Sequence, residues 1–192
     1  MTSVAVPSRT LVLGGARSGK SAHAESLVTT RPVRYVATRQ RDASDEDWQQ
    51  RIELHRASRP PEWTTVETVT GLAAVVAQRW GGTTMVDDLG TWLTGMLDDA
   101  AAWDLPRGTI APAVDDLVAA VSDCRSTLVI VSPEVGMSVV PESRSGRLFR
   151  DELGVLNARL AHVCDRVLLV VAGLALTLKE PPADSLTAKG PV

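Results

Sequence analysis

Eight consecutive residues, Gly14-Gly15-Ala16-Arg17-Ser18-Gly19-Lys20-Ser21, have the types and spacing to hold the phosphates of a nucleotide. They satisfy G-x-x-x-x-G-K-[ST], and they follow an apolar strand-like run and precede a helical one, which is the context that pattern requires. The glycines let the backbone turn so that successive N–H groups point at phosphate oxygens, and the helix start adds positive potential. Lys20 then reaches the β- and γ-phosphates, and the Ser21 hydroxyl is a ligand for Mg²⁺. A magnesium held there needs a carboxylate from the end of a neighbouring strand, and Thr83-Thr84-Met85-Val86-Asp87-Asp88 offers two. Asp87 is read as the ligand and Asp88 as the N-cap of the helix that follows, although aspartate suits either role and the sequence leaves the exchange open.

The other chemistry-bearing residues are less distinctive. His23 and His162 fall within helical patterns and read as packed or surface residues. His55 ends a predicted helix on the same face as Trp48 and Ile52, just before Arg56, Arg59 and Pro60-Pro61; spacing alone makes it a helix-end histidine, favourable because a cation suits a helix C-terminus. Arg144, Arg147 and Arg150 recur every three residues at a helix start, either as a solvated basic face or as a set facing transferring phosphates. A switch-type GTPase, which reads guanine with Asn-Lys-x-Asp, is excluded because the chain's one asparagine, Asn157, lies in Leu156-Asn157-Ala158.

These residues need a parallel sheet to bring them together. Short β-branched runs alternate with segments of helical period, the pattern of strands joined by crossover helices. Strands are predicted over Thr10 to Leu13, Val33 to Ala37, Trp63 to Thr68, Thr83 to Asp87, Thr127 to Ser132 and Arg166 to Ala172. Helices are predicted over Lys20 to Thr29, Ser44 to Ser58, Thr70 to Trp80, Leu89 to Asp98, Thr109 to Cys124 and Ser145 to His162. The fold class is therefore α/β, a P-loop NTPase-type sheet, mostly parallel and flanked by helices, with Leu174 to Lys179 folding back after Gly173 as an antiparallel edge strand. Residues 1–179 are expected to form a single nucleotide-binding domain, and residues 180–192, with prolines and no periodicity, a disordered tail. In such sheets ligands bind beyond the strand C-termini, and the segment from Pro133 to Arg144 lies there.

Composition narrows the partners. At 192 residues with 44% hydrophobic and 22% charged side chains, the chain has enough apolar material for one sizeable core. Its 20 Lys+Arg against 23 Asp+Glu give a net charge of -3, so there is no overall field for nucleic acid or anionic lipid. Cys124 and Cys164 stand alone, outside any Cys-x-x-Cys or Cys/His cluster, which argues against disulfides and zinc. With no signal-like N-terminus and no apolar run approaching about 18 residues, a cytoplasmic protein is expected.

Several stretches, taken in order, carry a more specific pattern. The phosphate-binding octet continues into Ala24-Glu25; Tyr35-Val36-Ala37-Thr38 follows, then Arg51-Ile52, His55-Arg56, Arg59-Pro60, Trp63, Thr65 and Glu67. Beyond these come Val86-Asp87, Leu89 and Trp92-Leu93-Thr94, then Glu134-Val135-Gly136-Met137 and Val140-Pro141-Glu142, and finally Arg144, Arg147, Arg150-Asp151, Gly154, Asn157 and Leu160-Ala161. Over nearly its whole length the chain resembles the bifunctional adenosylcobinamide kinase / adenosylcobinamide-phosphate guanylyltransferases of cobalamin biosynthesis. Asp88, Gly95 and Ser138 depart from that family's usual Cys, Asn and Gly, as do Ala22 and Trp48 from its frequent Arg and Met.

The resemblance implies an enzyme with two activities. ATP or GTP would phosphorylate the aminopropanol hydroxyl of adenosylcobinamide, with Lys20, the P-loop amides and Mg²⁺ on Ser21 and Asp87 neutralising the developing charge. GMP would then pass from GTP to the phosphorylated corrinoid through a GMP-histidine intermediate, and the match turns His55 from a helix-end residue into the nucleophile. Gly14 to Ser21, Ala37, Thr38, Arg39, Arg56, Ala57, Ser58, Arg59, Glu67 and Asp87 would bind nucleotide. A homo-oligomer, a trimer, is implied as well. The alternatives are a P-loop kinase of another small metabolite lacking the transferase activity, and a nucleotide-binding regulatory module without catalysis.

Overall fold

The computed structural model describes residues 8–38 and 60–180. Its seven strands are β1 (Arg9–Gly14), β2 (Val33–Ala37), β3 (Thr64–Glu67), β4 (Thr83–Asp87), β5 (Thr127–Pro133), β6 (Arg166–Val171) and β7 (Leu174–Lys179). They form one sheet in the order β3-β2-β4-β5-β1-β6-β7, in which every pairing is parallel except β6 with β7. The helices are α1 (Lys20–Ser26), α2 (Leu72–Ala77), α3 (Leu89–Asp99), α4 (Ala111–Asp123) and α5 (Arg144–Val163). The predicted helix Ser44 to Ser58 and the predicted tail beyond Glu180 lie outside the described residues.

Alternation along the strands explains why the runs carry apolar residues on both faces. Leu11, Leu13, Val36, Val86, Leu128, Ile130 and Val167 join one buried cluster with the inward faces of α2, α3, α4 and α5. Their strand neighbours Val12, Tyr35, Met85, Val129, Val131, Leu168 and Val170 join another on the opposite face with Ala24 of α1. A strand covered on both faces gains little from a polar side, so successive residues are mostly apolar, and buried exceptions such as Arg34, Thr83 and Thr84 each have hydrogen-bond partners.

Two helices are shorter than their periodicity suggests. α1 ends at Ser26 and not at Thr29: the Leu27 N–H bonds back to the Ala24 carbonyl and the Val28 N–H to the Glu25 carbonyl, ahead of the β-branched Val28-Thr29-Thr30. α2 covers Leu72–Ala77 and not Thr70 to Trp80. At its start the Thr68 hydroxyl accepts from Gly71 N at 3.1 Å. At its end the buried Arg34 guanidinium donates to the Val75 carbonyl and to the side chain of an extended Gln78, both at 2.8 Å, so the carbonyl that would accept the next helical N–H serves an arginine.

The topology has a switch beside β1. The chain leaves β1 for β2, three places away on one side, and later leaves β5 for β6 on the other side. In a parallel sheet the crevice beyond the strand C-termini at such a point is the usual ligand position.

Candidate active site

The P-loop occupies that crevice. Gly14 closes β1 and has no room for a side chain: a Cβ there would lie 2.4 Å from Ser18 Oγ and 2.8 Å from the Val170 carbonyl oxygen. Arg17 and Gly19 take positive φ of 54° and 89°, so the backbone alternates handedness and its amides converge inward. The first helical bond runs from His23 N to the Gly19 carbonyl at 2.9 Å, leaving the amides at the start of α1 available to an anion. Lys20 lies back along the loop, with Nζ 3.4 Å from the Gly15 carbonyl. The Ser18 hydroxyl is buried without a hydrogen-bond partner, directed into the loop that Gly14 and Gly19 shape.

The loop is supported from two sides. Gly14 pairs with Pro133 of β5 and with Val170 of β6, and Glu134 N donates to the Gly14 carbonyl at 3.0 Å. The β6–β7 turn, with Ala172 and Gly173 both at positive φ, places Gly173 N 2.8 Å from the Ser18 carbonyl. Behind β5, Asn157 accepts from the buried Ser132 hydroxyl at 2.6 Å and donates to the Pro133 carbonyl at 3.0 Å, which fixes the strand end against α5.

The two adjacent carboxylates are separated by the strand end. Asp87 is the last residue of β4, on the rung of Ala37, and the Ser21 hydroxyl donates to its Oδ1 at 3.3 Å. The Tyr35 hydroxyl donates to its Oδ2 at 2.8 Å. Asp88 is extended backbone, and its side chain accepts from Thr91 N at 2.9 Å, capping α3. A hydroxyl and a carboxylate within hydrogen-bond reach are hard oxygen donors suited to Mg²⁺, and this pair fits that ion.

Ala37 also pairs with Glu67 of β3, so Glu67, Ala37 and Asp87 share the rung at the C-terminal edge. Thr38 stands behind that edge: it is 1% exposed, and its hydroxyl bonds the Asp88 carbonyl and the Thr91 hydroxyl, both at 2.6 Å. Arg39, His55, Arg56, Ala57, Ser58 and Arg59 lie outside the described residues. Arg144 and Arg147 hold backbone: Arg144 donates to the Trp103 and Leu105 carbonyls, and Arg147 to those of Pro141 and Glu142. Sequence reasoning missed Tyr35. Its signal is the strand period, since Tyr35 and Ala37 sit two apart and therefore on one face of β2.

Comparison with known proteins places the chain in a family. The family model described as cobinamide kinase / cobinamide phosphate guanyltransferase matches residues 10–178. A relative from Salmonella typhimurium, named bifunctional adenosylcobalamin biosynthesis protein CobU, is 39% identical over 183 residues, covering 88% of this chain and 98% of its own. One from Pseudomonas aeruginosa, named bifunctional adenosylcobalamin biosynthesis protein CobP, is 39% identical over 180 residues, covering 91% and 99%. Among solved structures, an ATPase from the type III secretion system of pathogenic bacteria superposes with a TM-score of 0.57 at 10% identity, over 94% of this chain and 60% of that one, a likeness of fold alone. With a family match spanning nearly all of the sheet and relatives matched along their full length, the chain belongs to the cobinamide kinase / cobinamide phosphate guanyltransferase family.

Proposed function

We propose that this chain phosphorylates adenosylcobinamide with ATP or GTP and then transfers GMP from GTP to the product, giving adenosylcobinamide-GDP. The observation that carries the reading is the P-loop with Ser21 3.3 Å from Asp87, in a chain matched to the family from residue 10 to 178. In the kinase step the P-loop amides and Lys20 bind the β- and γ-phosphates and neutralise charge as the acceptor hydroxyl attacks the γ-phosphorus. Ser21 and Asp87 would hold Mg²⁺, which supplies further charge neutralisation on the phosphate oxygens. Arg17 of the P-loop, Ala37 and Glu67 at the strand edge, and Arg39 complete the nucleotide contacts.

In the transfer step the neutral imidazole of His55 attacks the α-phosphorus of GTP and pyrophosphate leaves. The phosphate of the corrinoid then attacks the same phosphorus, and His55 is released. The neutral imidazole carries the ring-nitrogen lone pair that the attack on phosphorus needs. Arg56, Ala57, Ser58 and Arg59, adjacent in sequence, hold the guanine nucleotide. Residues 1–179 act as one domain, in the cytoplasm, on small-molecule substrates; no described helix is long and apolar enough to cross a membrane. A homotrimer is part of the reading, and the exposed Leu174, Leu176 and Leu178 of β7 offer an apolar surface for a contact between copies.

Incubation with α-labelled GTP followed by denaturation tests the transferase half. A phosphorus–nitrogen bond to imidazole is labile in acid and stable in base, so protein-bound label should show that profile and vanish in His55→Ala, while phosphorylation of adenosylcobinamide persists at least in part. Label that survives in His55→Ala removes the histidine from the mechanism.

A further inference from the structure

Tyr35 contributes to the phosphate site without belonging to the P-loop. It is 2% exposed in the middle of β2, paired with Thr65 of β3 and Met85 of β4, and its ring stacks on Trp63 with centroids 6.5 Å apart at 29°. A ring gripped in this way has little rotational freedom, so its hydroxyl is delivered to one place. That place is Asp87 Oδ2, at 2.8 Å. A carboxylate only accepts hydrogen bonds, so the phenol is the donor. The two carboxylate oxygens thus meet different elements: Oδ2 meets β2 through Tyr35, and Oδ1 meets α1 through Ser21.

From this geometry we infer that Tyr35 is a positioning residue for the metal that accompanies the nucleotide, setting the orientation of the Asp87 carboxylate so that one edge faces the Ser21 hydroxyl. The inference rests on the P-loop reading above and goes beyond it by assigning a residue outside the motif. A buried phenol hydroxyl needs a hydrogen-bond partner, and of the acceptors near a core tyrosine this one has the carboxylate at the strand end; phenylalanine would fill the same ring space against Trp63 and Met85. The substitution to phenylalanine therefore removes the bond to the carboxylate and keeps the ring packing. Groups that orient a metal-binding carboxylate or imidazole typically change metal affinity by 10- to 100-fold when removed.

The test is Tyr35→Phe, measured by calorimetric titration of ADP into the protein across a Mg²⁺ series and in EDTA. The Mg²⁺ concentration for half-maximal tightening of ADP should rise about tenfold. ADP affinity in EDTA should match wild type, and kcat should recover as Mg²⁺ is raised. Because Tyr35 acts through Asp87, Tyr35→Phe should add nothing in an Asp87→Asn background, a non-additivity that a loss of stability would not produce. An unchanged Mg²⁺ midpoint, an equal loss of ADP affinity with and without Mg²⁺, or additive effects in the double variant each overturns the inference. Wild-type ADP binding that is indifferent to Mg²⁺ fails differently, since it removes the metal reading of Ser21 and Asp87 and the role of Tyr35 with it.

Discussion

Asp87 and Asp88 are the same residue type one position apart, and their duties diverge because the strand ends between them. Asp87 keeps the pairing of β4 and points its carboxylate along the edge to Ser21 and Tyr35, whereas Asp88 has left the ladder and turned its side chain onto the first turn of α3. Substitution separates the two. Asparagine caps a helix about as well as aspartate, so Asp88→Asn should leave stability and kinase rate near wild type, while Asp88→Ala should cost about 1 kcal/mol in thermal unfolding. Asp87→Asn removes the negative charge that a hard cation needs, and kinase activity should fall on the order of a hundredfold and respond to raised Mg²⁺ or Mn²⁺. If Asp88→Asn is the damaging change in that assay, ligand and cap have been exchanged. The sequence carried both aspartates as candidates and favoured Asp87 as the ligand and Asp88 as the cap, but it left the exchange open, because a one-residue shift in the end of β4 would swap them. Tyr35 was hidden for a related reason: a tyrosine in an apolar strand looks like core until a carboxylate is found opposite its hydroxyl.

The strands were the most legible elements. β2, β4 and β7 run over the residues expected of them, since each is a β-branched or leucine-rich run bounded by turn residues. Helix ends were less legible, because what stops α2 is Arg34, dozens of residues earlier in the chain, reaching across to the Val75 carbonyl and Gln78. The far end of the sheet has a similar long-range tie. Arg9 at the start of β1 meets Asp165 before β6 through its backbone N–H at 2.9 Å and through Nε and Nη2 at 3.0 and 2.6 Å. These bonds hold the Asp165 carboxyl below the ordinary carboxylate range and raise the Arg9 guanidinium. A carboxyl whose pKa is lower folded than unfolded contributes stability above its unfolded pKa and loses it as pH falls through the folded value. Thermal midpoints should therefore drop in acid, below about pH 4. Asp165→Asn should lower the midpoint by a few degrees at neutral pH and flatten its dependence in acid. An acid limb as steep in the variant as in wild type would assign that dependence to other carboxylates. Next to this pair, burial pushes the Cys164 thiol up to about 12, so it stays protonated and unreactive at neutral pH.

At the scale of the whole molecule, the sheet ends on a strand whose leucines stand exposed. Leu174, Leu176 and Leu178 are 76, 59 and 54% exposed, and residues two apart share a face, so β7 presents a leucine row on the last strand of the sheet. Soluble proteins usually blunt such edges with charge, proline or a covering element, and clustered exposed apolar residues mark contact surfaces. The strand is otherwise firmly placed, because the Lys179 ammonium donates to the carbonyls of Ala161, His162 and Cys164 at the end of α5. The same hairpin backs the phosphate loop, since Gly173 N donates to the Ser18 carbonyl. Leu176→Lys probes both connections. The lysine costs the isolated fold little at an exposed position, but buried in a subunit contact it would be an unpaired charge. Light scattering should find wild type as trimers and Leu176→Lys as a smaller species. The affinity for ADP should fall a few-fold as the turn behind Ser18 loses its support. A variant with the same mass as wild type shows that β7 is not the contact, and a smaller species with unaltered ADP affinity shows that the hairpin carries assembly without reaching the phosphate loop.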